Sequence, residues 1–276
     1  MAFLTDLHCH TNISLDGADS MLAMARAERA AGMDVVCFTD HCDTVDWNTL
    51  AFYPPCRTVA ERVRAAYEQC RDELPEGLEV RLGMELGETI FHPELAAELA
   101  AELAAAPGLD FILGSLHITP EQGDFHNIDY VSAEQCRALC RLYLDKLQQI
   151  AEGGCFDVMA HIGYLRRYMW QHGFDEGLTL ADNGGEIERL LRTLIEKGKG
   201  VELNCSGIRD GCGPFPSAEI LRLYRSLGGE IVTVGSDAHR TADAARCVDQ
   251  GFELLRELGF RYVAVYRRHE PQFYRI

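Results

Sequence analysis

Short apolar runs in this chain end, again and again, in histidine and aspartate. Asp6-x-His8-x-His10 comes just after Ala2-Phe3-Leu4, and Thr39-Asp40-His41 follows Asp34-Val35-Val36-Cys37-Phe38. His161 follows Asp157-Val158-Met159-Ala160, and Ser236-Asp237-Ala238-His239 follows Ile231-Val232-Thr233-Val234. On a strand, residues i and i+2 point to the same side, so His8 with His10, and Asp237 with His239, can each aim two donors at one ion. Donors recurring at the C-terminal ends of successive strands are what a metal centre at the mouth of a parallel barrel needs. The fold must therefore bring those strand ends together.

The rest of the chain supplies the intervening helices. Ser20 to Ala31 is Ala-rich with helical spacing and stops at Gly32. Helical stretches follow at Thr58 to Glu73, Pro93 to Ala106, Ser132 to Gly153 (Ser132 as N-cap, Gln135 at the capping-box position), Asp182 to Lys197, Ser217 to Leu227 and Ala242 to Leu258. Strands are expected at Asp34 to Phe38, Glu79 to Met84, Asp110 to Leu113, Asp157 to Ala160, Gly200 to Asn204, Glu230 to Val234 and Tyr262 to Val265. This makes seven or eight β-then-α units without a linker, so residues 1–276 are expected to form one domain. A doubly wound sheet shares the alternation, but one site fed by nearly every strand end favours a closed barrel. Three long insertions, Asp43 to Cys56, Thr119 to Tyr130 and Tyr164 to Leu180, follow donor-bearing strand ends and are expected to wall the site.

Composition narrows the partners. With 43 acidic and 26 basic residues the net charge is −17, which disfavours nucleic acid and anionic membranes as partners. A small anionic substrate stays possible, because bound metals reverse the local field. No stretch is apolar enough for a membrane span, and Asp6 and His8 come too early for the apolar core of a signal peptide. The 11 cysteines are scattered without a C-x-x-C pair and read as reduced thiols of a cytoplasmic protein.

Nine residues form the candidate donor set: His8, His10, Asp16, His41, Glu85, His117, His161, Asp237 and His239. Nitrogen and carboxylate donors without thiolates suit zinc, manganese or iron in hydrolytic work. Nine donors exceed the needs of one ion and suggest two or three divalent ions. Spacing alone leaves Glu85 and Glu88 both open as a bridging carboxylate. His92, His126, His172 and His269 read as surface or cap-region residues.

Together, Asp6-x-His8-x-His10, Thr39-Asp40-His41, Gly83-x-Glu85, Gly114-Ser115-x-His117, His161 and Ser236-Asp237-Ala238-His239 resemble the PHP family, named for polymerase and histidinol phosphatase. The resemblance runs in order from Asp6 to about His239. It implies a distorted (β/α)7 barrel, TIM-like, with a trinuclear metal centre. It would give one ion His8, His10, Glu85 and Asp237, a second Glu85, His117 and His161, and a third Asp16, His41 and His239. The match to Gly-x-Glu favours Glu85 over Glu88. Many members carry histidine where Asp16 stands, and often an acidic residue where Gly163 stands.

Two further segments, His161-x-x-x-x-Arg166-Arg167-Tyr168 and Glu202-Leu203-Asn204-x-Ser206-Gly207-x-Arg209, look like the stand-alone histidinol-phosphatase branch. That resemblance implies metal-dependent hydrolysis of L-histidinol phosphate to L-histidinol and phosphate, in histidine biosynthesis. Arg166, Arg167 and Arg209 would hold the phosphate, since guanidinium forks give bidentate charge-assisted bonds. Glu85, Asp237 and His239 would be the catalytic residues, with His239 or Asp16 near the leaving oxygen. The alternatives are a relative acting on a nucleotide or sugar phosphate, a catalytically silent metal-stabilised scaffold, and an amidohydrolase-like barrel. The last relies on a lysine bridge or fewer metals, and none of Lys146, Lys197 and Lys199 ends a donor-bearing strand.

Overall fold

Seven parallel strands with intervening helices make a nearly closed barrel in the computed structural model, which describes residues 3–52, 56–175 and 177–276, with the side chains of Cys56 and Arg57 left aside. Ala2 of the first apolar run, residues 53–55 in the first insertion and Glu176 in the third therefore lie outside the described residues. The strands are β1 (Thr5–Cys9), β2 (Val35–Phe38), β3 (Glu79–Gly87), β4 (Phe111–Ser115), β5 (Val158–Met159), β6 (Gly200–Asn204) and β7 (Val232–Gly235), hydrogen-bonded in that order. A short extension, His41–Asp43, carries the line of β2 onward and pairs with β3, placing His41 opposite Glu85.

The ring closes between β1 and the segment after β7. Asp237 N–H donates to His8 O and His10 N–H to Ala238 O, both at 2.8 Å. Asp6 Oδ1 accepts from Ser236 N–H at 2.9 Å, across the same seam. Burial pushes the Asp6 carboxyl up to about 6, against the hydrogen bonds from Ser236 and His8 that lower it. The polar residues that end these strands thus join first and last strand as well as bear donors.

Apolar side chains fill two layers. Leu7, Val35, Cys37, Phe111, Leu113, Val158 and Ala160 occupy the lumen. The outer faces of the strands pack against the helices α1 (Met21–Ala30), α2 (Cys56–Cys70), α3 (Pro93–Ala104), α4 (Ala133–Gly153), α5 (Arg166–Gln171), α6 (Leu180–Glu196), α7 (Ser206–Arg209), α8 (Ala218–Ser226) and α9 (Val248–Glu257). The start of α4 follows from its sequence: Ser132 Oγ accepts from Gln135 N–H at 3.2 Å, and Gln135 Oε1 accepts from Val131 N–H at 2.8 Å. Leu139, Tyr143, Leu147 and Ile150 then line its buried face.

Three expectations are revised. Ala242 to Leu258 is not one helix, because Ala245 and Cys247 take left-handed backbone angles and α9 begins only at Val248. The insertion Tyr164 to Leu180, for which no element was expected, contains α5. The segment from Tyr262 does not start an eighth unit: β8 (Tyr262–Arg267) pairs antiparallel with β9 (Glu270–Arg275). This hairpin seals the N-terminal end of the barrel, with Ala264, Val265 and Tyr266 joining the lumen cluster. His269, read as a surface residue, bonds there to Asp157 Oδ2 at 2.8 Å.

Candidate metal centre

The C-terminal strand ends converge as the i, i+2 patterns require. His8 lies on β1 and His10 just beyond it, Glu85 on β3, His117 after β4, His161 after β5, and Asp237 and His239 after β7. His161 and Asp237 have positive φ angles, 23° and 57°, so the chain turns sharply at both donors without a glycine. A Cβ on Gly235 would collide with the side chains of His8 and Glu202, so the last residue of β7 must be glycine for β1 to approach.

Glu85 sits at the middle, almost fully buried. Its Oε2 lies 3.2 Å from His8 Nε2, 3.4 Å from His10 Nε2 and 3.1 Å from His41 Nδ1. Its Oε1 lies 2.8 Å from His161 Nε2 and 3.3 Å from His117 Nε2. Asp237 Oδ1 is 3.6 Å and 3.5 Å from the Nε2 atoms of His8 and His10. Those two nitrogens are 3.1 Å apart, and the Nε2 atoms of His117 and His161 are 3.3 Å apart. Donors at 2.0–2.2 Å around one tetrahedral zinc stand about 3.3–3.6 Å from each other. The spacings within both groups are thus close to those of ligands sharing an ion, and the two groups meet at one carboxylate.

A third group is more open. Asp16 Oδ2 lies 3.1 Å from His239 Nε2 and 3.7 Å from His41 Nε2, and the Asp16 side chain is 55% exposed. The rings of His10 and His239 stack at 4.0 Å.

Electrostatics point the same way. Burial alone would raise Glu85, but His41, His8 and His117 override it and hold the carboxyl well below its usual range. Burial would lower His41, yet Glu85 and Asp16 push it up to about 10. His8 and His117 are likewise driven up by facing carboxylates in spite of burial. His41 Nδ1 and His239 Nε2 are buried and face carboxylate oxygens at 3.1 Å, those of Glu85 and Asp16, without hydrogen-bond geometry, a cost that cations held between these groups would remove. The residues present fit a set of divalent ions.

A layer behind the donors holds them in place. Glu202 Oε1 accepts from His8 Nδ1 at 2.7 Å, and its Oε2 from His161 N–H at 2.7 Å. Asp40 accepts from Thr11 N–H, Thr11 Oγ1, Ser14 N–H and Ser14 Oγ, and Ser14 Oγ lies 3.1 Å from His10 Nδ1. Glu88 is not in the Nε2 group. It accepts from His117 N–H at 2.7 Å and lies 3.3 Å from His117 Nδ1, behind the ring.

The three arginines part ways. Arg167 and Arg209 flank Asp210, at 2.9 Å and 3.7 Å. Arg167 also donates to Ser206 Oγ, which lies 3.3 Å from Asp237 Oδ2, and Arg209 donates to Ser236 O at 3.0 Å. Both guanidinium groups therefore reach the immediate surroundings of Asp237. Arg166 turns instead to Asp175, at 2.9 Å. The first and third insertions reach the site: the Trp47 ring, 38% exposed, lies 5.6 Å from that of His117, and Tyr164 lies 5.0 Å from His117. His126 is exposed, with its ring 5.2 Å from Tyr168.

Glu202, Asp210 and Trp47 were not legible as site residues. Glu202 was part of a quoted motif, but a carboxylate within a strand carries no mark of its partner.

A parallel barrel with clustered imidazoles and carboxylates at its mouth defines a metal-dependent hydrolase type of site. The PHP domain model matches residues 6–206, and the chain belongs to the PHP family. A Thermotoga maritima protein named probable histidinol-phosphatase is 25% identical over 262 residues, covering 95% of each chain. The Lactococcus lactis histidinol-phosphatase is 23% identical over 278 residues, covering 95% of this chain and 93% of its own. The crystal structure of the L. lactis histidinol phosphate phosphatase, complexed with zinc, L-histidinol and phosphate, matches with a TM-score of 0.75 and 21% identity over 98% of both chains. That structural likeness bears on the fold.

Proposed function

We propose that this chain is a metal-dependent phosphomonoesterase that hydrolyses L-histidinol phosphate to L-histidinol and phosphate, with residues 1–276 acting as one catalytic domain. The observation that carries the reading is the division of Glu85, one oxygen in each of two donor groups, with Arg167 and Arg209 beside Asp237. Relatives named for histidinol-phosphatase that align over 95% of the chain support the choice of substrate.

His8, His10, Glu85 and Asp237 would hold one ion, Glu85, His117 and His161 a second, and Asp16, His41 and His239 a third. Zinc, manganese and iron all suit these donors. Ions bound there would supply Lewis acidity toward the phosphoryl oxygens and lower the pKa of a water to near neutrality. Arg167 and Arg209 would hold and orient the phosphate and offset the charge that gathers on it. Arg166, engaged with Asp175, takes the lesser share. Asp16 or His239, at the exposed edge, would stand near the leaving oxygen. Trp47 and Tyr164 stand beside His117 at the mouth and would flank the substrate.

None of the ten described cysteines is in a disulfide, which fits a reducing compartment, and we place the protein in the cytoplasm. Among the described residues, no helix is long and apolar enough to cross a membrane.

The test is phosphate release by the metal-reconstituted protein from histidinol phosphate, sugar phosphates and nucleotides side by side. Histidinol phosphate should have the highest kcat/KM. A preference for a sugar phosphate or nucleotide would redirect the reading to another phosphate ester, and no turnover of any of them to a silent scaffold.

A further inference from the structure

At the end of the barrel opposite the donors, the turns after α8 and α9 and the hairpin β8–β9 border a half-open cavity of about 710 Å³. Arg222, Arg225 and Arg261 line it, together with Tyr262, Phe273 and a single acid, Glu230. The two aromatic rings are 48% and 49% exposed. In a chain of net charge −17, three arginines around one cavity are unexpected. None of the three is ion-paired among the described residues.

The arrangement is built around Arg225. A Cβ on Gly259 would lie 2.5 Å from Arg225 Nη1, so the missing side chain is what admits the guanidinium. Nη1 donates to Leu258 O at 2.9 Å, satisfying the end of α9, and the group lies 6.0 Å above the Phe260 ring. That bond uses one of the five N–H donors of an arginine. The other donors of Arg225, with those of Arg222 and Arg261, form a basic wall beside exposed aromatic surface.

We infer that this cavity binds a planar aromatic polyanion of mononucleotide size, its phosphates against the arginines and its base against Tyr262 and Phe273. Guanidinium groups match phosphate oxygens in charge and fork geometry, and three exceed the need of a single carboxylate. Aromatic faces hold a heterocycle by stacking, at about 1–3 kcal/mol per base in nucleic-acid-binding proteins. The volume lies within the roughly 300–1,000 Å³ of small-molecule sites. The inference does not rest on the reaction proposed above, because no residue of this cavity belongs to the donor set.

The experiment is calorimetric titration of the metal-loaded protein with α,β-methylene ADP, with saturating inorganic phosphate present to occupy the metal centre. One site is expected to bind under those conditions. Arg222→Glu, Arg261→Glu and Tyr262→Ala should each weaken it by about tenfold or more, while Arg209→Ala leaves it unchanged. Arg222 and Arg261 are exposed, and circular dichroism of each variant checks that it is folded. No binding, or sensitivity to Arg209→Ala but not to Arg222→Glu and Arg261→Glu, would overturn the site. Loss with the arginine changes but not with Tyr262→Ala would leave a plain anion site and overturn the aromatic assignment.

Discussion

Glu202 accepts the Nδ1 proton of His8 at 2.7 Å, from a strand on the far side of the seam that closes the barrel. The bond selects the tautomer that leaves His8 Nε2 free to face Glu85 and Asp237. The same carboxylate receives the N–H of His161, so it positions donors of two groups at once. Glu202→Gln should lower metal affinity by about 10- to 100-fold, the range typical of such outer partners. Competition with a chelator of known affinity measures it. An unchanged affinity would mean that His8 needs no such support.

Glu85 makes a sharper claim. Because its oxygens face different nitrogens, Glu85→Ala should empty both buried groups, whereas His117→Ala should weaken only the group that contains it. Elemental analysis of the purified variants separates the two outcomes. Equal metal loss in both variants would remove the bridge.

What the sequence made readable, and what it hid, follows from range. His8 with His10 and Asp237 with His239 were legible because the strand period turns i, i+2 spacing into a shared face. The order of barrel strands followed from the same periodicity and the intervening helices. Glu202 and Asp210 were silent as site residues because their roles depend on partners far along the chain, His8 for the one and Arg167 for the other. Arg166 and Arg167 were inseparable in sequence, but on α5 neighbours point about 100° apart, and only Arg167 reaches Ser206. The β8–β9 hairpin escaped because its turn residues, Arg268 and His269, have φ angles of 51° and 63° without the usual Asn or Gly. Hydrogen bonds of both residues to Asp110, and of His269 to Asp157, hold that turn from outside the hairpin.

The arginines should differ in the same way kinetically. A charge-assisted hydrogen bond is worth about 1.5–3 kcal/mol, so Arg209→Ala and Arg167→Ala should each reduce kcat/KM for histidinol phosphate by about 10- to 200-fold. Arg166→Ala, which breaks an ion pair with an exposed Asp175, should cost less than about fivefold. Metal content should stay constant in all three variants. If Arg166→Ala were the most damaging of them, the phosphate clamp would have to be redrawn around α5.

Protonation and metal binding should oppose each other. His41 rises from 6.5 to about 10 in the metal-free protein, because Glu85 and Asp16 outweigh the effect of burial. A raised histidine contributes stability that is fully present below the unfolded value and is lost as pH rises through the folded one. Chelator-treated protein should therefore lose stability between pH 6.5 and about 10. An ion must displace that proton, so the stabilisation conferred by added zinc should grow over the same interval. Thermal unfolding with and without zinc, in steps from pH 6.5 to 9, tests both slopes. Parallel curves would show that His41 does not exchange its proton for metal.

The barrel floor is a separate matter of packing. Tyr266 is 3% exposed, and its ring stacks on Phe111 at 4.8 Å, inside the lumen cluster. Its hydroxyl is 3.5 Å from Asp157 O, at the limit of a hydrogen bond. Removing the ring leaves a cavity between the hairpin and the lumen, so Tyr266→Ala should destabilise the metal-loaded protein by about 3–5 kcal/mol. Tyr266→Phe keeps the ring and should cost about 1 kcal/mol or less. Urea denaturation measures both, with metal stoichiometry below the transition as the control, since no donor lies at this end. The ordering matters more than either value. If the phenylalanine variant lost as much as the alanine one, the hydroxyl rather than the stacked ring would tie the hairpin to the barrel.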